Sequence, residues 1–282
     1  MHLGYLFGAD TYSDNRKYVP TSLKTVVVTG GDYIGYGAFS NCQSLKSVTI
    51  RDGVTVIGGA AFEQCYALTE ISLPDSVTSI GTSAFSGCHN LRSFTIGPNV
   101  KEIGQRAFFD CYRMVEVYNR SQLTITAGST DYGEVGYDAK VIYTAPYTSR
   151  VSVDQNGYVL YRDGATVSLI AYEGTETDLV LPSGITEINS CALLGLTTLK
   201  SVVIPEGVTS IGDYAFQNCK LESVTIPVSV IKIGTYSFYL SSNDFTYNGT
   251  QAQWKAIIKG TSWLGSSNYI IHCMDGDIGT RW

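Results

Sequence analysis

The chain has 282 residues and a formal net charge of −6, and charged residues make up only 16% of it. This acidic balance lacks the basic stripe on which nucleic-acid binding depends, so we expect no nucleic-acid partner. No apolar run approaches the roughly 20 residues of a membrane-spanning helix, so we expect no membrane insertion.

A repeat of 23 residues dominates the sequence. It is carried by two columns of side chains, Phe39, Phe62, Phe85 and Phe108, and Cys42, Cys65, Cys88 and Cys111. A fixed period of this length is typical of a solenoid, in which each repeat forms one coil and neighbouring coils stack to share a core. The two columns therefore predict buried Phe and Cys side chains that lie one above the other.

Each coil reads L-x-x-V-x-I and then I-G-x-x-A-F-x-x-C, and the first coil begins at Leu23. The alternating, β-branched first part predicts a short strand. In three coils a proline directly follows this strand, where a missing N–H ends the ladder: Pro74, Pro205 and Pro227. The glycines of the second part are expected to adopt backbone angles that other residues avoid: Gly58, Gly81, Gly104, Gly212 and Gly234.

The stretch between Phe108 and Leu193 departs from the period, because its 85 residues fit neither three coils nor four. Residues 135–139 are interpreted as a degenerate I-G-x-x-A segment. A hairpin follows, with predicted strands at 158–161 and 167–172 that are joined through Asp163 and Gly164. We predict one continuous solenoid with an irregular β-rich middle, not two domains.

The period returns from Leu179 onward, with Phe216, Cys219 and Phe238 in their columns. In the coil before them, Leu193 replaces Phe and Leu196 takes the Cys position. Because an apolar residue replaces Cys there, the Cys column is predicted to be a packing column.

These coils, about 160 residues in all, resemble the BspA-like class of leucine-rich repeats of bacterial and some protozoan surface proteins. The resemblance implies a right-handed solenoid with a strand-lined face, display outside the cell, and roles in adhesion and host-protein binding. It also implies a C-terminal closure, in which Gln251 to Ile258 form a short helix capped by Thr250. Residues 1–5 lack the charged and apolar regions of a signal peptide, so the chain is either cytosolic or a piece of a longer secreted protein. The resemblance favours the second.

The predicted fold class is a mostly β solenoid of the α/β-type repeat kind, a right-handed leucine-rich repeat coil with 23-residue repeats. It contains an irregular β-rich middle and a C-terminal cap. We divide it into an N-terminal cap (1–22), repeat coils (23–119), an irregular insert that continues the solenoid (120–176), repeat coils (177–248) and a C-terminal cap (249–282).

No pattern in the sequence indicates an enzyme, a metal ion or a cofactor. The cysteines lack pairs such as C-x-x-C, and side chains in a ladder point the same way, so buried free thiols are favoured over zinc or disulfides. His272 and Cys273 are neighbours in one strand and point to opposite faces, which excludes a catalytic dyad. The sequence Asp275-Gly276-Asp277 is favoured as a turn over a calcium loop.

The strand-lined face is the candidate binding surface. Its outward positions carry mixed charge among Ser and Thr, which any solvated sheet also shows; in the fourth strand they are Val115, Glu116 and Tyr118. A column of aromatic residues beside this face offers anchors for a protein or stacking partners for a sugar. The candidate binding residues are Lys46, Tyr66, Glu70, His89, Arg92, Tyr112, Glu116 and Tyr118.

We therefore predict a monomeric, non-catalytic module that acts outside the cell or at its surface in protein binding and adhesion. The expected partner is a host matrix or surface protein, or a glycan. Two alternatives stay open: a structural spacer that holds other domains away from a cell wall, and a carbohydrate-binding module that uses the aromatic column. A signal peptide, an anchor or a neighbouring enzyme domain in the full gene would separate these hypotheses.

Overall fold

The structure is a computed structural model that describes residues 10–265 and 268–280. It has two compact units, and the boundary between unit 1 and unit 2 lies between Thr148 and Ser149. This boundary falls inside the predicted insert of residues 120–176. Both the five-part division and the single continuous solenoid remain predictions.

Unit 1 is a mostly β stack of coils. It begins with a 3-10 turn (Tyr12–Asp14) and the one-turn helix α1 (Asn15–Tyr18). The strands that follow are β1 (Thr25–Val28), β2 (Tyr33–Ile34), β3 (Ser47–Ile50), β4 (Val56–Ile57), β5 (Glu70–Ser72), β6 (Ser79–Ile80), β7 (Ser93–Ile96), β8 (Glu102–Ile103) and β9 (Glu116–Asn119). The irregular turn α2 (Asp131–Glu134) then precedes β10 (Val141–Tyr143).

The predicted L-x-x-V-x-I strands of unit 1 lie side by side and parallel. They form two three-stranded sheets, β1-β3-β5 and β7-β9-β10, while the shorter strands of the I-G part form a four-stranded sheet, β2-β4-β6-β8. Equivalent residues of successive coils pair directly, as Val26 does with Val48 and Val48 with Ile71. The coil period read from the sequence is therefore confirmed.

The Phe column forms a stack of rings in the core. The ring centroids of Phe39 and Phe62 are 5.0 Å apart, and those of Phe62 and Phe85, and of Phe85 and Phe108, are each 5.2 Å apart. All four side chains are buried. Phe94 of β7 meets the rings of Phe85 and Phe108 edge-on, which adds a second aromatic layer.

The Cys column is also buried, and it follows a hydrogen-bond pattern that the sequence did not reveal. Each thiol donates to the carbonyl oxygen of the column residue in the preceding coil: Cys65 to Phe39 at 3.1 Å, Cys88 to Phe62 and Cys111 to Phe85 at 3.2 Å each, and Cys219 to Leu193 at 2.9 Å. Burial raises the pKa of Cys42 to about 12 and that of Cys65 well above its usual range. These thiols stay protonated, so the column serves packing, as predicted.

The expectation for the I-G glycines is wrong, because none of them adopts a positive φ. A Cβ on Gly81 would lie 2.5 Å from the nitrogen of Gly59, and one on Gly104 would lie 2.4 Å from the nitrogen of Thr82. Glycine is needed there because the backbone of the preceding coil approaches too closely for a side chain. The left-handed conformation falls instead on other residues of the coil, such as Gln64 with φ 57°.

The register proposed for residues 135–139 is also wrong. Strand β10 pairs with β9 so that Val141 lies opposite Glu116, which places Ala139 at the position that Met114 holds in the preceding coil. The amide of Phe108 bonds to the carbonyl of Gly133, as that of Phe85 bonds to Ala107. Gly133 and Glu134, two residues before the proposed segment, therefore stand where earlier coils have Ala and Phe.

Unit 2 is a second mostly β stack. Its elements are β11 (Val151–Val153), β12 (Tyr158–Asp163), β13 (Thr166–Tyr172), β14 (Asp178–Val180), β15 (Glu187–Ile188), β16 (Ser201–Val203), β17 (Ser210–Ile211), β18 (Ser223–Ile226), β19 (Lys232–Ile233), β20 (Asp244–Tyr247), helix α3 (Gln251–Ala256), β21 (Ile258–Lys259), β22 (Tyr269–Cys273) and β23 (Gly276–Thr280). One sheet has the order β14-β16-β18-β20-β22-β23 and the other the order β11-β12-β13-β15-β17-β19-β21.

The predicted hairpin is confirmed as β12 and β13. Strand β13 also pairs in parallel with β15, where Leu169 lies opposite Ile188, so the hairpin continues the sheet of short strands. Its side chains Leu160 and Leu169 are buried in the core of unit 2. The hairpin is therefore part of that core and not a surface insertion.

The predicted C-terminal helix is present as α3 and ends two residues earlier than expected. The Thr250 side chain accepts the N–H of Gln253, while the Gln253 side chain accepts the N–H of Thr250, which forms a capping box. At the other end, the Lys259 ammonium donates to the carbonyls of Trp254 and Ile257. Both helix ends thus have partners for their unpaired backbone groups.

Candidate functional site

The outward face of β3, β5, β7 and β9 is set by the alternation of side chains along each strand. Val48, Phe94 and Val117 point inward and are buried. Of the predicted binding residues, Lys46 and Glu70 are exposed. Arg92 and Tyr118 are half-buried in the same region. Because the strands are parallel and in register, these residues form rows across the coils.

The prediction that Val115 and Glu116 project into solvent is wrong, because both are 0% exposed. Strand β10 lies beside β9, and the hydroxyl of Tyr143 donates to Oε1 of Glu116 over 3.3 Å. A carboxylate under such cover cannot contact a protein partner directly. Glu116 therefore supports the surface from below and leaves the candidate set.

A cluster of three tyrosines covers this end of the face, and we call it the tyrosine cluster: Tyr118, Tyr143 and Tyr147. The rings of Tyr143 and Tyr147 stack at 3.8 Å, and Tyr118 meets Tyr147 edge-on at 5.5 Å. All three are half-buried, and burial, followed by the nearby Glu116, raises the pKa of Tyr147. The sequence analysis found only Tyr118, because Tyr143 and Tyr147 follow the last regular coil of unit 1. The pairing of Tyr143 with Tyr118 is the signal that links them.

The aromatic column predicted from Tyr66, His89 and Tyr112 exists as a continuous stack. Ring centroids are 4.8 Å apart for Tyr66 and His89 and 5.2 Å apart for His89 and Tyr112, with interplanar angles of 23° and 31°. The rings cover each other's faces and present mainly their edges to solvent. A sugar stacks on an open ring face, so this geometry gives little support to sugar binding along the column.

His89 lies in the middle of that stack and is neutral at physiological pH. Burial lowers its pKa, and Arg113 lowers it further against the opposite effect of Asp110. The neighbouring Asn90 donates to the carbonyl of Tyr66 over 2.6 Å, and the Arg113 guanidinium donates to the side-chain oxygen of Asn90. The column is thus tied to its coils by polar contacts between successive repeats.

The remaining residues with chemical potential lie in the C-terminal hairpin. His272 is flanked by two carboxylates, with Nδ1 3.0 Å from Asp277 and Nε2 3.4 Å from Asp244. Cys273 packs on the opposite, inner side, which confirms that the two do not form a dyad. Asp275 accepts the N–H of Gln251 over 2.7 Å, so the predicted turn also caps α3.

The part of the chain that the structure describes contains no group of three or more His, Cys, Asp or Glu residues arranged to hold a metal ion. Within the same residues, no helix has the length and apolar character needed to cross a bilayer.

Comparison with known families identifies the kind of protein that this coil geometry builds. A family model described as "BspA type Leucine rich repeat region" matches six copies over residues 15–130 and 170–260. The chain belongs to the BspA-type leucine-rich repeat family. This confirms the resemblance and the solenoid fold expected from the repeat. Leucine-rich repeat proteins are generally non-enzymatic.

Solved structures with related coils come from several bacteria. A leucine-rich cell surface protein from Faecalibacterium prausnitzii is 26% identical, with 86% of this chain and 84% of that one covered and a TM-score of 0.34. The pneumococcal vaccine antigen PcpA is 15% identical over 86% and 76%, with a TM-score of 0.42. A leucine-rich repeat protein from Eubacterium ventriosum is 15% identical over 84% and 78%, with a TM-score of 0.37. No protein with a curated description matches the sequence. At these TM-scores the family assignment rests on the repeat model alone.

Proposed function

We propose that the chain is a non-catalytic module that binds a protein partner outside the cell or at its surface. The observation that carries this proposal is the tyrosine cluster, which lies at the end of an exposed strand face of mixed charge. Tyrosine is among the residues that most often dominate protein interfaces, because its ring is large, rigid and polar at one end. Stacked coils hold such residues in place before binding, so little ordering cost is added on association.

The family supports the same proposal. BspA-type leucine-rich repeats occur in cell-surface proteins, and repeats of this kind generally serve protein interaction. The proposed contact residues are Lys46, Glu70, Arg92 and Tyr118 on the strand face, with Tyr66, His89 and Tyr112 beside it. A host matrix or surface protein is the partner that we propose, and a glycan is the second candidate.

A binding screen against purified matrix proteins, cell-surface proteins and a glycan array tests the proposal. With the partner found, we expect Tyr118→Ala, Tyr66→Ala and Tyr112→Ala each to weaken binding by roughly 1–2 kcal/mol, as truncated aromatic anchors do. Tyr33→Ala is the matched control, because Tyr33 is 64% exposed but belongs to the sheet of short strands. A thermal melt of each variant shows whether its fold is intact.

Two outcomes would contradict the assignment. Loss of binding in the Tyr33 variant, with the other three unchanged, would move the site to the other face of unit 1. Failure of the whole panel to bind would favour the structural spacer.

A further inference from the structure

Strand β14 is the terminal strand of its sheet, and among the described residues only β16 pairs with it. In a parallel ladder, alternate residues direct their N–H and C=O groups to opposite sides. The carbonyl of Thr177 accepts from Ser201 and the amide of Leu181 donates to Val203, so the odd-numbered residues face β16. Asp178 and Val180 therefore direct their backbone groups to the open edge.

A cleft of about 630 Å³ adjoins this edge. It lies between the turn that precedes β12 and the turn that follows β13, and Val180 belongs to its lining. The hydroxyl of Tyr158 donates to the carbonyl of Val180 over 3.1 Å, and the hydroxyl of Tyr172 accepts the N–H of Glu176 over 3.0 Å. The two tyrosines thus fix the wall of the cleft to the strand.

These bonds leave a defined set of groups at the edge. Tyr158 occupies the carbonyl of Val180, and burial raises the pKa of Tyr158 to about 12, so its hydroxyl remains a donor. The N–H of Val180 and both backbone groups of Asp178 stay available to an added strand. The side chain of Val180 is 70% exposed, which shows that this edge is open.

The cleft is acidic. Its lining includes three carboxylates, from Asp154, Glu173 and Glu176, and no Lys or Arg. The Asp154 carboxylate is held in place, because it accepts the N–H groups of Asn156 and Tyr158 over 2.9 and 3.0 Å. A cationic side chain is therefore the complement of this space.

We propose that the open edge of β14 and the adjoining cleft bind an extended peptide segment that carries Lys or Arg side chains. The segment adds to β14 as a strand and bonds to the backbone of Asp178 and Val180. One of its cationic side chains enters the cleft and meets the carboxylates of Asp154, Glu173 and Glu176. The site lies in unit 2 and is independent of the protein-binding surface proposed for unit 1.

Fluorescence anisotropy with two labelled peptides tests the charge requirement. One peptide has the sequence Thr-Lys-Val-Lys-Val-Thr, and the other has Glu in place of both Lys. We expect the Lys peptide to bind at least about tenfold more tightly at low salt, and the difference to shrink as salt screens the charges. Equal binding of the two peptides, or no binding of the Lys peptide, would overturn the proposal.

Strand addition is tested separately from charge attraction. Val180→Pro removes the outward N–H and leaves the bonds between β14 and β16 in place, so we expect about a tenfold loss of affinity. A Lys peptide methylated at alternate backbone nitrogens keeps its charge and should lose affinity to a similar extent. If both bind as tightly as the unmodified pair, the segment does not add as a strand.

A matched pair of variants tests the cleft itself. Glu173→Gln with Glu176→Gln should weaken the Lys peptide several-fold, whereas Glu206→Gln with Glu222→Gln should not. Both pairs remove two exposed carboxylates from unit 2, but only the first lines the cleft. Equal effects of the two pairs would reduce the interaction to net charge. Self-association in sedimentation that Val180→Pro abolishes, without peptide binding, would show that a second copy of the chain occupies the edge instead.

Discussion

The two units end their aromatic columns in opposite ways. In unit 1 the stack of rings stops at Phe108, and the next coil places Gly133 and Glu134 where Ala and Phe stood before. In unit 2 the column continues past Phe238 to Trp263, with ring centroids 6.2 Å apart. Trp263 also contacts the rings of Phe245, Trp254 and Tyr269.

This difference has an electrostatic side. The end of unit 1 brings together the carboxyl groups of Asp110, Glu134 and Asp138, and burial, with help from the other two, raises the pKa of Asp138 to about 6. The end of unit 2 is closed by rings instead. A repeat stack can thus be finished by a dry aromatic layer or by a polar coil, and the polar coil costs stability when its carboxylates ionise.

The largest expected effect concerns the interior of the two columns. We expect Phe85→Ala to cost about 3–5 kcal/mol of unfolding free energy. Phe216→Ala should cost about 1 kcal/mol less, because Phe85 meets three rings and Phe216 meets Phe238 and an aliphatic Leu193.

Denaturant unfolding followed by far-UV circular dichroism measures both variants. Tryptophan fluorescence recorded alongside follows unit 2, because every tryptophan lies after residue 250. A shift for Phe85→Ala no larger than that of a surface Ser→Ala change would refute the stacked core.

The closing residues of the two columns allow a direct contrast. We expect Trp263→Ala to destabilise the protein by about 2–3 kcal/mol, since it removes a ring that packs against four others. Glu134→Ala, at the end of the column in unit 1, should be neutral or slightly stabilising at pH 7. A cost of similar size at both ends, measured by the same unfolding curves, would show that the polar coil closes unit 1 equally well.

Asp138 gives the comparison a pH dependence. Its pKa is higher in the folded protein than in the unfolded chain, so the folded state loses stability as pH rises from about 4 to about 6 and stays penalised above. Asp138→Asn should therefore leave stability unchanged at about pH 4 and raise it by on the order of 2 kcal/mol at about pH 8. Asp52→Asn, at an exposed carboxylate, is the control. A gain that is the same at both pH values would contradict the ionisation account.

The smallest effect expected is no change at all in the Cys column. Cys65, Cys88 and Cys111 should remain reduced in an oxidising medium, because their thiols are buried and point along the stack. Alkylation before and after unfolding, read by mass spectrometry, checks this. The half-buried Cys273 serves as the accessible reference and should be labelled first. A disulfide between neighbouring coils would prove the packing interpretation wrong.

The repeat made the interior of each coil predictable. Phe62 and Cys65 are identified by period alone, because a coil can bury only the residues that face its neighbours. The hairpin and α3 were predictable from a turn signal and a cap, which act over a few residues. Gly81 was assigned to the right place for the wrong reason, since sequence does not show how closely the preceding backbone approaches.

The candidate surface was less predictable. The period shows which side of a strand Glu116 occupies but not what covers that side. The cover comes from Tyr143 and Tyr147, which lie where the repeat has lapsed and the pattern gives no register. Val180 and the cleft beside it escaped notice for the same reason, because they adjoin the irregular middle.

The thiol bonds of the Cys column have a consequence for how such a chain changes in length. Each one joins residues 26 positions apart, and the same step recurs from Cys65 to Cys88 to Cys111. Every coil thus offers its neighbour the same upper and lower surface. Duplicating or excising one block of 23 residues by recombination would reproduce contacts that already exist. We expect the protein to tolerate copy-number change in whole coils, each one lengthening or shortening it by about 4.8 Å.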